Sequence, residues 1–581
     1  MGMIQTGKNR KNLVFSKRVA DLKKFGAAEL VLILSIIVLV VVVAIPILLI
    51  FWNAFTTADG KFNIKDVIWI LSKPETYQAL LNSVTIALGV TMLSTILGVF
   101  FAWLVTRTDL PFKGAMKLLF IVPFMLPSFI GAMAWKILLS PRGGYINVFF
   151  KNLLGIDKPL FNIYGMAGII IVETMYLFPF VFLQVSGALE RMDPTLEESA
   201  QISGIDLFTI TRKITFPLIT PSIIAGALLV ALYSLSHFGV PAILGTEVGI
   251  YNIPTLIYQK IYASAGSFEA IRTGTVLASI LVISAAIIMY LQNLVLKKGR
   301  YQIIAGKSMR PMLLKLRGFK IPLLIFSILY IAVTVLLPTV TVFLVGALKT
   351  YGLPLKLKHM TLENFKYILF SWKMTKDAIK NSVVLSLGAA FVTMLVGTMI
   401  SYVIVKMKVK GKFILEFLGM LPFSVPGTVI ALGVILTWSG RFGVNLYNTA
   451  GIIFVAYIAR YMAFALKSTS AALEQVHDSL EEASRSCGAT HWQALKHIVL
   501  PLIKPGMVAA FFLIFLPALR ELTTSVLLYG PTTRTIGVAI YALNEDGETV
   551  YAMALASIAL VIIVLGEILI RKITSTKEGN G

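Results

Sequence analysis

The stretch that decides the fold is ESAQISGIDLFTITRKITFP at residues 198–217, because its pattern returns as EASRSCGATHWQALKHIVLP at residues 482–501. The two copies lie 284 positions apart (482 − 198) and keep the same spacing from glutamate through glycine to proline. The residues in register are Glu198 and Glu482, Ser199-Ala200 and Ala483-Ser484, Gly204 and Gly488, and Pro217 and Pro501. Each copy is polar and stands between long apolar runs. The pattern therefore predicts one membrane-surface loop, built twice.

The chain as a whole is too apolar for a soluble protein. Its 581 residues have a mean hydropathy of +0.84 and only 14% of them are charged, against about 25% in soluble domains. Twelve apolar stretches reach the roughly 20 residues that a membrane-crossing helix needs. They lie near 28–51, 80–105, 115–138, 164–188, 217–242, 273–296, 321–347, 379–405, 413–438, 447–470, 501–528 and 549–570. We predict an all-α polytopic membrane protein with about twelve transmembrane helices.

A second repeat divides the chain into two halves. Asn82-Ser83-Val84 returns as Asn381-Ser382-Val383, and Pro123 and Pro127 return as Pro422 and Pro426, all 299 positions later (381 − 82). The offset falls to 284 further along, which places 15 extra residues (299 − 284) in the loop around 139–163 of the first copy. We predict two halves, 1–296 and 321–581, joined by a basic linker at 297–320. Because six helices return the chain to its starting side, the two repeats run parallel.

Charge predicts the orientation. The segments that face the cytoplasm if the N-terminus is inside hold more than twice as many Lys and Arg residues as the outer loops. This bias accounts for the net charge of +24 and predicts that both termini and both repeated loops are cytoplasmic. The outer loop 348–377, with six lysines, does not follow the rule. Cys487 is the only cysteine, so no internal disulfide forms.

The repeated loop has the chemistry of a short helix, a turn and a second helix. Asp193 is a candidate cap, and Glu197 and Glu198 lie in the first turn, where acidic residues suit the helix dipole. Gly204 and Gly488 permit the positive φ that ends a helix. Pro217 begins the next membrane helix, where a missing N–H costs little. An inner loop that merely returns the chain to the membrane is the alternative, but two copies at identical spacing argue against it.

In its general form (Glu-Ala-Ala, three residues, Gly, nine residues, Ile, one residue, Leu-Pro) this pattern resembles the cytoplasmic loop of binding-protein-dependent ABC importer permeases. The sequence departs from it at Ser199, Ser484 and Phe216, which are small or apolar as the pattern requires. The resemblance implies a type I importer permease fold with both permease domains in one chain. It also implies that residues 192–216 and 476–500, hereafter the first and second coupling loops, dock on ATP-hydrolysing subunits.

The fused arrangement, with FGVPAIL at 238–244 and RELTT at 520–524, is similar to the ferric-iron permease group. Thiamine, phosphonate and polyamine importers remain alternatives. The resemblance implies two copies of a separate ATPase and an external solute-binding protein as partners, in the inner membrane of a bacterium. The fragment Gly306-Lys307-Ser308 lacks the glycine that a P-loop needs, since Tyr301 stands there. We therefore expect no catalytic residue, bound cofactor, metal site or nucleic acid, and ATP is used by the partner.

Charged residues inside the apolar stretches are candidates for the solute path, because such charges are costly in a bilayer. Glu173 and Arg460 lie deepest, on equivalent helices, and either pair with each other or line the path. His237 and Glu521 occupy equivalent positions and Arg520 adjoins them. These three are expected near the outer helix ends, where they either reach to the interface or form a polar gate.

Two other classes of function remain open. A secondary transporter with parallel repeats would also have twelve helices but would respond to an ion gradient. An intramembrane enzyme would need a catalytic cluster of histidine and acidic residues, which the sequence does not suggest, since three of the five histidines fall within 477–497.

Overall fold

The computed structural model describes residues 27–57, 59–193, 195–263, 267–299, 313–407, 409 and 411–575. The basic N-terminus, most of the linker 297–320 and the fragment at 306–308 lie outside these residues. All regular elements in the described part are helical, and extended pairing is limited to isolated bridges. The all-α class is therefore confirmed.

The helices of the first half are α1 Leu32–Phe55, α2 Ile64–Ser72, α3 Pro74–Arg107, α4 Lys113–Met125, α5 Ser128–Leu139, α6 Tyr145–Leu154, α7 Met166–Arg191, α8 Thr195–Ile202, α9 Phe208–Leu235, α10 Gly239–Leu244, α11 Ile253–Ala263 and α12 Phe268–Leu296. Those of the second half are α13 Arg317–Gly346, α14 Glu363–Lys366, α15 Lys373–Lys406, α16 Lys412–Ser424, α17 Gly427–Trp438, α18 Ala450–Glu474, α19 Asp478–Ser486, α20 Leu495–Leu519, α21 Ser525–Leu528, α22 Ile536–Glu545 and α23 Thr549–Ile568. The order repeats, except that α6 fills the insertion predicted around 139–163.

Ten helices of the described part are long and apolar enough to cross a membrane, and two bent pairs bring the number to twelve. The pairs are α4–α5, bent by 90°, and α16–α17, bent by 117°. The bends fall just before Pro127 and Pro426, because a residue that precedes proline is pushed out of the helical region. Leu126 accordingly has ψ 143° and Val425 has ψ 126°. The predicted stretches 115–138 and 413–438 are therefore each two helices rather than one.

Helices α9 and α20 also differ from the prediction. Each begins on the loop side of its proline and contains a five-residue π-helical segment, 211–215 or 495–499, that ends two residues before Pro217 or Pro501. Wider turns of this kind accommodate the missing N–H and the bulky ring. The prolines therefore lie inside continuous helices rather than at their starts. At the other end, α9 and α20 stop at Leu235 and Leu519, shorter than the predicted 217–242 and 501–528.

Each half is built around the crossing of two long helices, α3 with α7 and α15 with α18, the most extensive helix pairs in the described part of the chain. Glycine permits the close approach. A Cβ at Gly98 would lie 2.6 Å from Val181, and one at the equivalent Gly397 would lie 2.4 Å from Ala465. The repeat is thus preserved down to individual packing contacts.

The first helix of each half packs on the other half. Helix α1 lies on α17, where a Cβ at Gly433 would lie 2.8 Å from the Pro46 carbonyl oxygen, and α13 lies on α5. These two reciprocal contacts hold the halves together along their common surface, hereafter the seam.

Candidate functional site

The helices of the two coupling loops, α8 and α19, begin and end in the same way. The Asp193 carboxylate accepts the N–H of Thr195 at 2.9 Å, and the His477 ring, 284 positions later, accepts the N–H of Ser479 at 3.2 Å. Gly204 has φ 81° and Gly488 has φ 89°, which confirms the predicted positive φ. Helix capping and termination are thus encoded within each loop.

The last turns match as well. Ile205 donates its N–H to the Ala200 carbonyl at 3.1 Å, and the equivalent Ala489 donates to Ser484 at 3.2 Å. Asp206 then caps the start of the following helix by accepting the N–H of Thr209 at 2.9 Å. Hydrogen bonds from Thr209 hold the pKa of Asp206 below its usual value. This cap was not among the predicted features, although aspartate before an amphipathic run is a signal for one.

A buried ion pair fixes the first coupling loop to the membrane domain. Arg107, the last residue of α3, donates to the Glu197 carboxylate at 3.0 Å, and the two side chains are only 4% and 6% exposed. Arg107 also donates to the Leu189 carbonyl, and the Thr215 hydroxyl donates to Glu197 at 2.6 Å. Because both side chains are withdrawn from solvent, each charge depends on the other for compensation.

The second coupling loop is held by different groups at the equivalent positions. Lys406, which stands where the first half has Arg107, contacts the Asp478 carboxylate at 2.6 Å and also donates to the Val476 carbonyl. The Tyr402 hydroxyl donates to Glu481, the counterpart of Glu197. The Asp478 side chain is 71% exposed. None of these anchoring contacts was predicted, although Arg107 and Lys406, two basic residues 299 positions apart, were a signal for them.

The predicted coupling residues lie on one side of the molecule, beside the ends of α3 and α15. Ser199, Glu482 and Ala483 are exposed, Glu198 and Ser484 are half-buried, and Ala200 is buried. Exposed apolar side chains surround the first loop, including Ile202 at 88% and Phe208 at 74%. Exposed apolar surface of this kind is typical of a contact site for a protein or for the membrane.

The charged residues of the membrane domain gather where its helices are broken. Helices α5 and α17 begin at the proline bends, and α9 and α20 stop close to them at Leu235 and Leu519. Irregular backbone at membrane depth is tolerated where it is enclosed by protein or lines a cavity. These breaks are therefore the candidate solute site.

In the first half the polar groups form a chain. The fully buried Glu173 accepts the Ser234 hydroxyl at 2.7 Å, and one of its oxygens lies 2.9 Å from Nδ1 of His237, with angles short of a hydrogen bond. Nε2 of His237 lies 2.7 Å from the Ser128 hydroxyl at the start of α5. The Asn252 side chain donates to the His237 carbonyl at 2.8 Å.

In the second half an arginine takes the central place. Nε of Arg460 lies 3.2 Å from the Glu521 carboxylate, which also accepts the Tyr461 hydroxyl at 2.7 Å and the Thr524 N–H at 2.8 Å. Glu173 and Arg460 each pair within their own half, so the alternative in which they pair with each other is wrong.

Arg520 reaches across the seam. Its Nη1 donates to the carbonyl oxygen of Met125, the last residue of α4, and its guanidinium lies 6.0 Å from the Phe124 ring centroid. Arg520 lines a pocket together with Ala559 and Ile563 of α23. At 1.5 Å per residue, these two residues lie about 15–21 Å from the first residue of α23, Thr549. Arg520 thus lies at the end of its helix, directly after Leu519, as expected. It contacts the first half and the middle of α23, however, so it does not reach to an interface.

The second repeat, Asn-Ser, has a structural role that the sequence analysis did not assign. The Ser83 hydroxyl accepts the N–H of Ile253 at 2.8 Å, and Ser382 accepts that of Ile536 at 2.7 Å. Asn82 donates to the Tyr251 carbonyl at 2.9 Å. These bonds fix the starts of α11 and α22 against the long helices. In the described residues, no group of three or more His, Cys, Asp or Glu side chains is arranged to hold a metal ion.

Known proteins that resemble this chain support its division into two repeated halves. The family model described as binding-protein-dependent transport system inner membrane component matches twice, at residues 94–300 and 393–576. The ferric transport system permease protein FbpB of Actinobacillus pleuropneumoniae is 29% identical over 511 residues, covering 87% of this chain and 72% of the relative.

Two further relatives match about a third of the chain. The spermidine/putrescine transport system permease protein PotB of Escherichia coli is 32% identical over 206 residues, which are 35% of this chain and 74% of the relative. The putative 2-aminoethylphosphonate transport system permease protein PhnV of Salmonella paratyphi A is 28% identical over 189 residues, 32% of this chain and 71% of the relative.

Proposed function

Because this chain belongs to the family of binding-protein-dependent transport system inner membrane components, we propose that it is the two-domain permease of an importer for ferric iron, free or chelated. The duplicated coupling loop carries the proposal: two copies of one capped helix, each fastened to the end of a long membrane helix. Such a pair is suited to receive force from two copies of one partner.

The mechanism we propose is alternating access. Two copies of a separate ATPase bind ATP, close, and move the two coupling loops toward each other, so that the halves rock about the seam. The seam then opens toward an external solute-binding protein, and hydrolysis resets it. Both termini and both coupling loops are cytoplasmic in this proposal, and the chain spans the plasma membrane of a bacterium.

Ferric iron is favoured over the other substrates because the ferric relative aligns along most of the chain, whereas the polyamine and phosphonate relatives align with about a third. Thiamine, polyamine and phosphonate remain alternatives. The ligand of the solute-binding protein that stimulates ATP hydrolysis by the assembled importer would distinguish them.

The test replaces Glu198 and Glu482 together by alanine in the assembled importer. We expect solute-stimulated ATP hydrolysis and radioactive iron uptake in proteoliposomes to be lost, while the chain remains folded in the membrane. Glu474→Ala is the matched control, since this exposed glutamate lies at the end of α18 just before the second coupling loop. Uptake that persists in the double variant, or that follows an ion gradient without the ATPase, would contradict the proposal.

A further inference from the structure

The start of α17 differs from the start of its counterpart α5. Helix α17 has 12 residues and begins at Gly427, directly after the bend at Pro426. Its first N–H groups have no carbonyl four residues earlier within the helix, so they carry partial positive charge toward the seam. In α5 the equivalent first residue is Ser128, whose hydroxyl contacts His237.

A guanidinium and a hydroxyl occupy the space that the missing side chain of Gly427 leaves. A Cβ at Gly427 would lie 1.9 Å from Nη1 of Arg460 and 2.7 Å from Oγ1 of Thr524. The repeat places Tyr176 and His237 at the positions of Arg460 and Glu521 in the first half (460 − 284 and 521 − 284). The cation at the helix start is therefore particular to the second half.

Two buried hydroxyls at this point have no described partner. Thr524 and Thr428 are both 0% exposed, and among the described residues neither Oγ1 forms a hydrogen bond. Buried hydroxyls are rarely left unpaired, because the lost hydration is costly. The Thr524 hydroxyl and the helix start thus lie side by side, and in the described part of the chain Thr524 Oγ1 has no hydrogen-bond partner.

The charges that face this point favour an anion. Glu521 pairs with Arg460 but is 7% exposed, whereas the Arg460 side chain is 24% exposed and so is the group that a solute meets. Arg520 adds a second cation, and its Nη1 donates to the Met125 carbonyl of the first half, across the seam. Glu567 on α23 is a second acidic group in the neighbourhood of Arg520.

We infer that the start of α17, with Arg460 and Thr524, is an oxyanion-binding subsite of the solute path, taking a carboxylate, phosphate or phosphonate group. Helix starts in broken membrane helices bind anionic groups for the same physical reason. The inference rests on the proposed function only in treating the anion as a transported solute. If that solute contains iron, the iron passes this point as an anionic complex rather than as a bare cation.

The test measures binding of radioactive inorganic phosphate to the full chain in lipid nanodiscs, without ATPase. Because no ATPase is present, absence of phosphate binding would contradict the subsite without contradicting the proposed coupling to an ATPase. Gly427→Ala displaces the Arg460 guanidinium without changing any charge. We expect it to weaken phosphate binding about tenfold or more, the order of a lost charged hydrogen bond. Thr524→Val should weaken binding a few-fold.

Gly419→Ala is the matched control. A Cβ there would meet Cδ2 of Leu466 at 2.3 Å, so the steric demand is similar but no charged group moves. Its phosphate affinity should stay within about twofold of wild type. Thermal unfolding of each variant verifies that the chain is folded, and Thr524→Val remains a test if Gly427→Ala does not fold.

The subsite is overturned if the wild-type chain shows no saturable phosphate binding, or if Gly427→Ala and Thr524→Val bind as tightly as wild type. Repeating the measurement with and without phosphatidylglycerol distinguishes a solute from a lipid headgroup. Unchanged affinity supports a solute site, whereas loss of phosphate binding in anionic lipid assigns the subsite to the headgroup and overturns the solute role.

Discussion

The two coupling loops have the same backbone conformation but are held to the membrane domain by different side chains. In the first, Arg107 and Glu197 form a buried pair supported by Thr215. In the second, Lys406 contacts an exposed aspartate. The duplication therefore preserved the short helix of each coupling loop and changed the side chains that fasten it to the membrane domain. Because a buried charge is costly to leave unpaired and an exposed one is not, the two fastenings should respond differently to the same substitution.

The largest expected difference is between Arg107→Ala and Lys406→Ala. Loss of Arg107 leaves Glu197 buried and unpaired, which should lower the free energy of unfolding by about 3–5 kcal/mol. Loss of the Lys406 side chain, which is itself 6% exposed, leaves no buried charge because Asp478 is 71% exposed, but it removes the donor to the Val476 carbonyl. We therefore expect a smaller cost of about 1–2 kcal/mol. Thermal unfolding in detergent and protease cleavage within 192–216 and 476–500 measure the two effects.

Lys117→Ala is the control for charge removal on the same side, because Lys117 and its partner Glu190 are both at least 36% exposed. Equal destabilisation by Arg107→Ala and Lys406→Ala would show that the two loops are fastened with equal strength after all.

The Asn-Ser repeat sharpens the comparison, because here the two halves make the same contact. Ser83→Ala and Ser382→Ala each leave the N–H of a buried isoleucine without its acceptor, at a cost of about 1–3 kcal/mol. We expect the two losses to be equal within error in thermal unfolding. A large effect in one half alone would mean that α11 and α22 are not held equivalently.

The glycines that end α8 and α19 should also behave alike. Gly204→Ala and Gly488→Ala place a side chain at a positive φ, which costs about 1–2 kcal/mol. Nothing lies within 4 Å of either Cβ position, so the cost is one of backbone conformation alone. Hydrogen exchange of each coupling loop should rise by a similar factor, and asymmetric exchange would contradict the equivalence of the two turns.

The smallest expected effect concerns Asp109, which follows α3 and has no acidic counterpart, since Lys408 occupies the equivalent position in the sequence. The Leu316 N–H and Lys320 hold the pKa of Asp109 below its usual value of 3.8. Because the pKa is lowered, the contact stabilises the folded state at pH values above the usual carboxyl pKa. This stabilisation is lost as the pH falls through the lowered pKa. Protease sensitivity near residue 314 should therefore rise only at acid pH, and Asp109→Asn should remove this dependence.

Local sequence determined much of this protein. The apolar stretches, the doubled pattern, the caps at Asp193 and His477 and the positive φ at Gly204 and Gly488 depend on groups a few residues apart, and propensity and spacing reveal such features. The repeated prolines were visible too. Their consequences, two sharply bent spans and two widened turns, also depended on how neighbouring helices accommodate the missing N–H.

Only the tertiary structure decided which distant side chains meet. Arg107 pairs with Glu197, which lies 90 positions later in the sequence. Glu173 contacts His237 rather than Arg460, the partner that the repeat suggested. The exchange of α1 and α13 between halves and the open start of α17 were likewise absent from the sequence pattern. The physical reason is that ion pairs and buried donors depend on which helix faces pack together, and apolar membrane helices of similar composition leave that choice to the shapes of their surfaces.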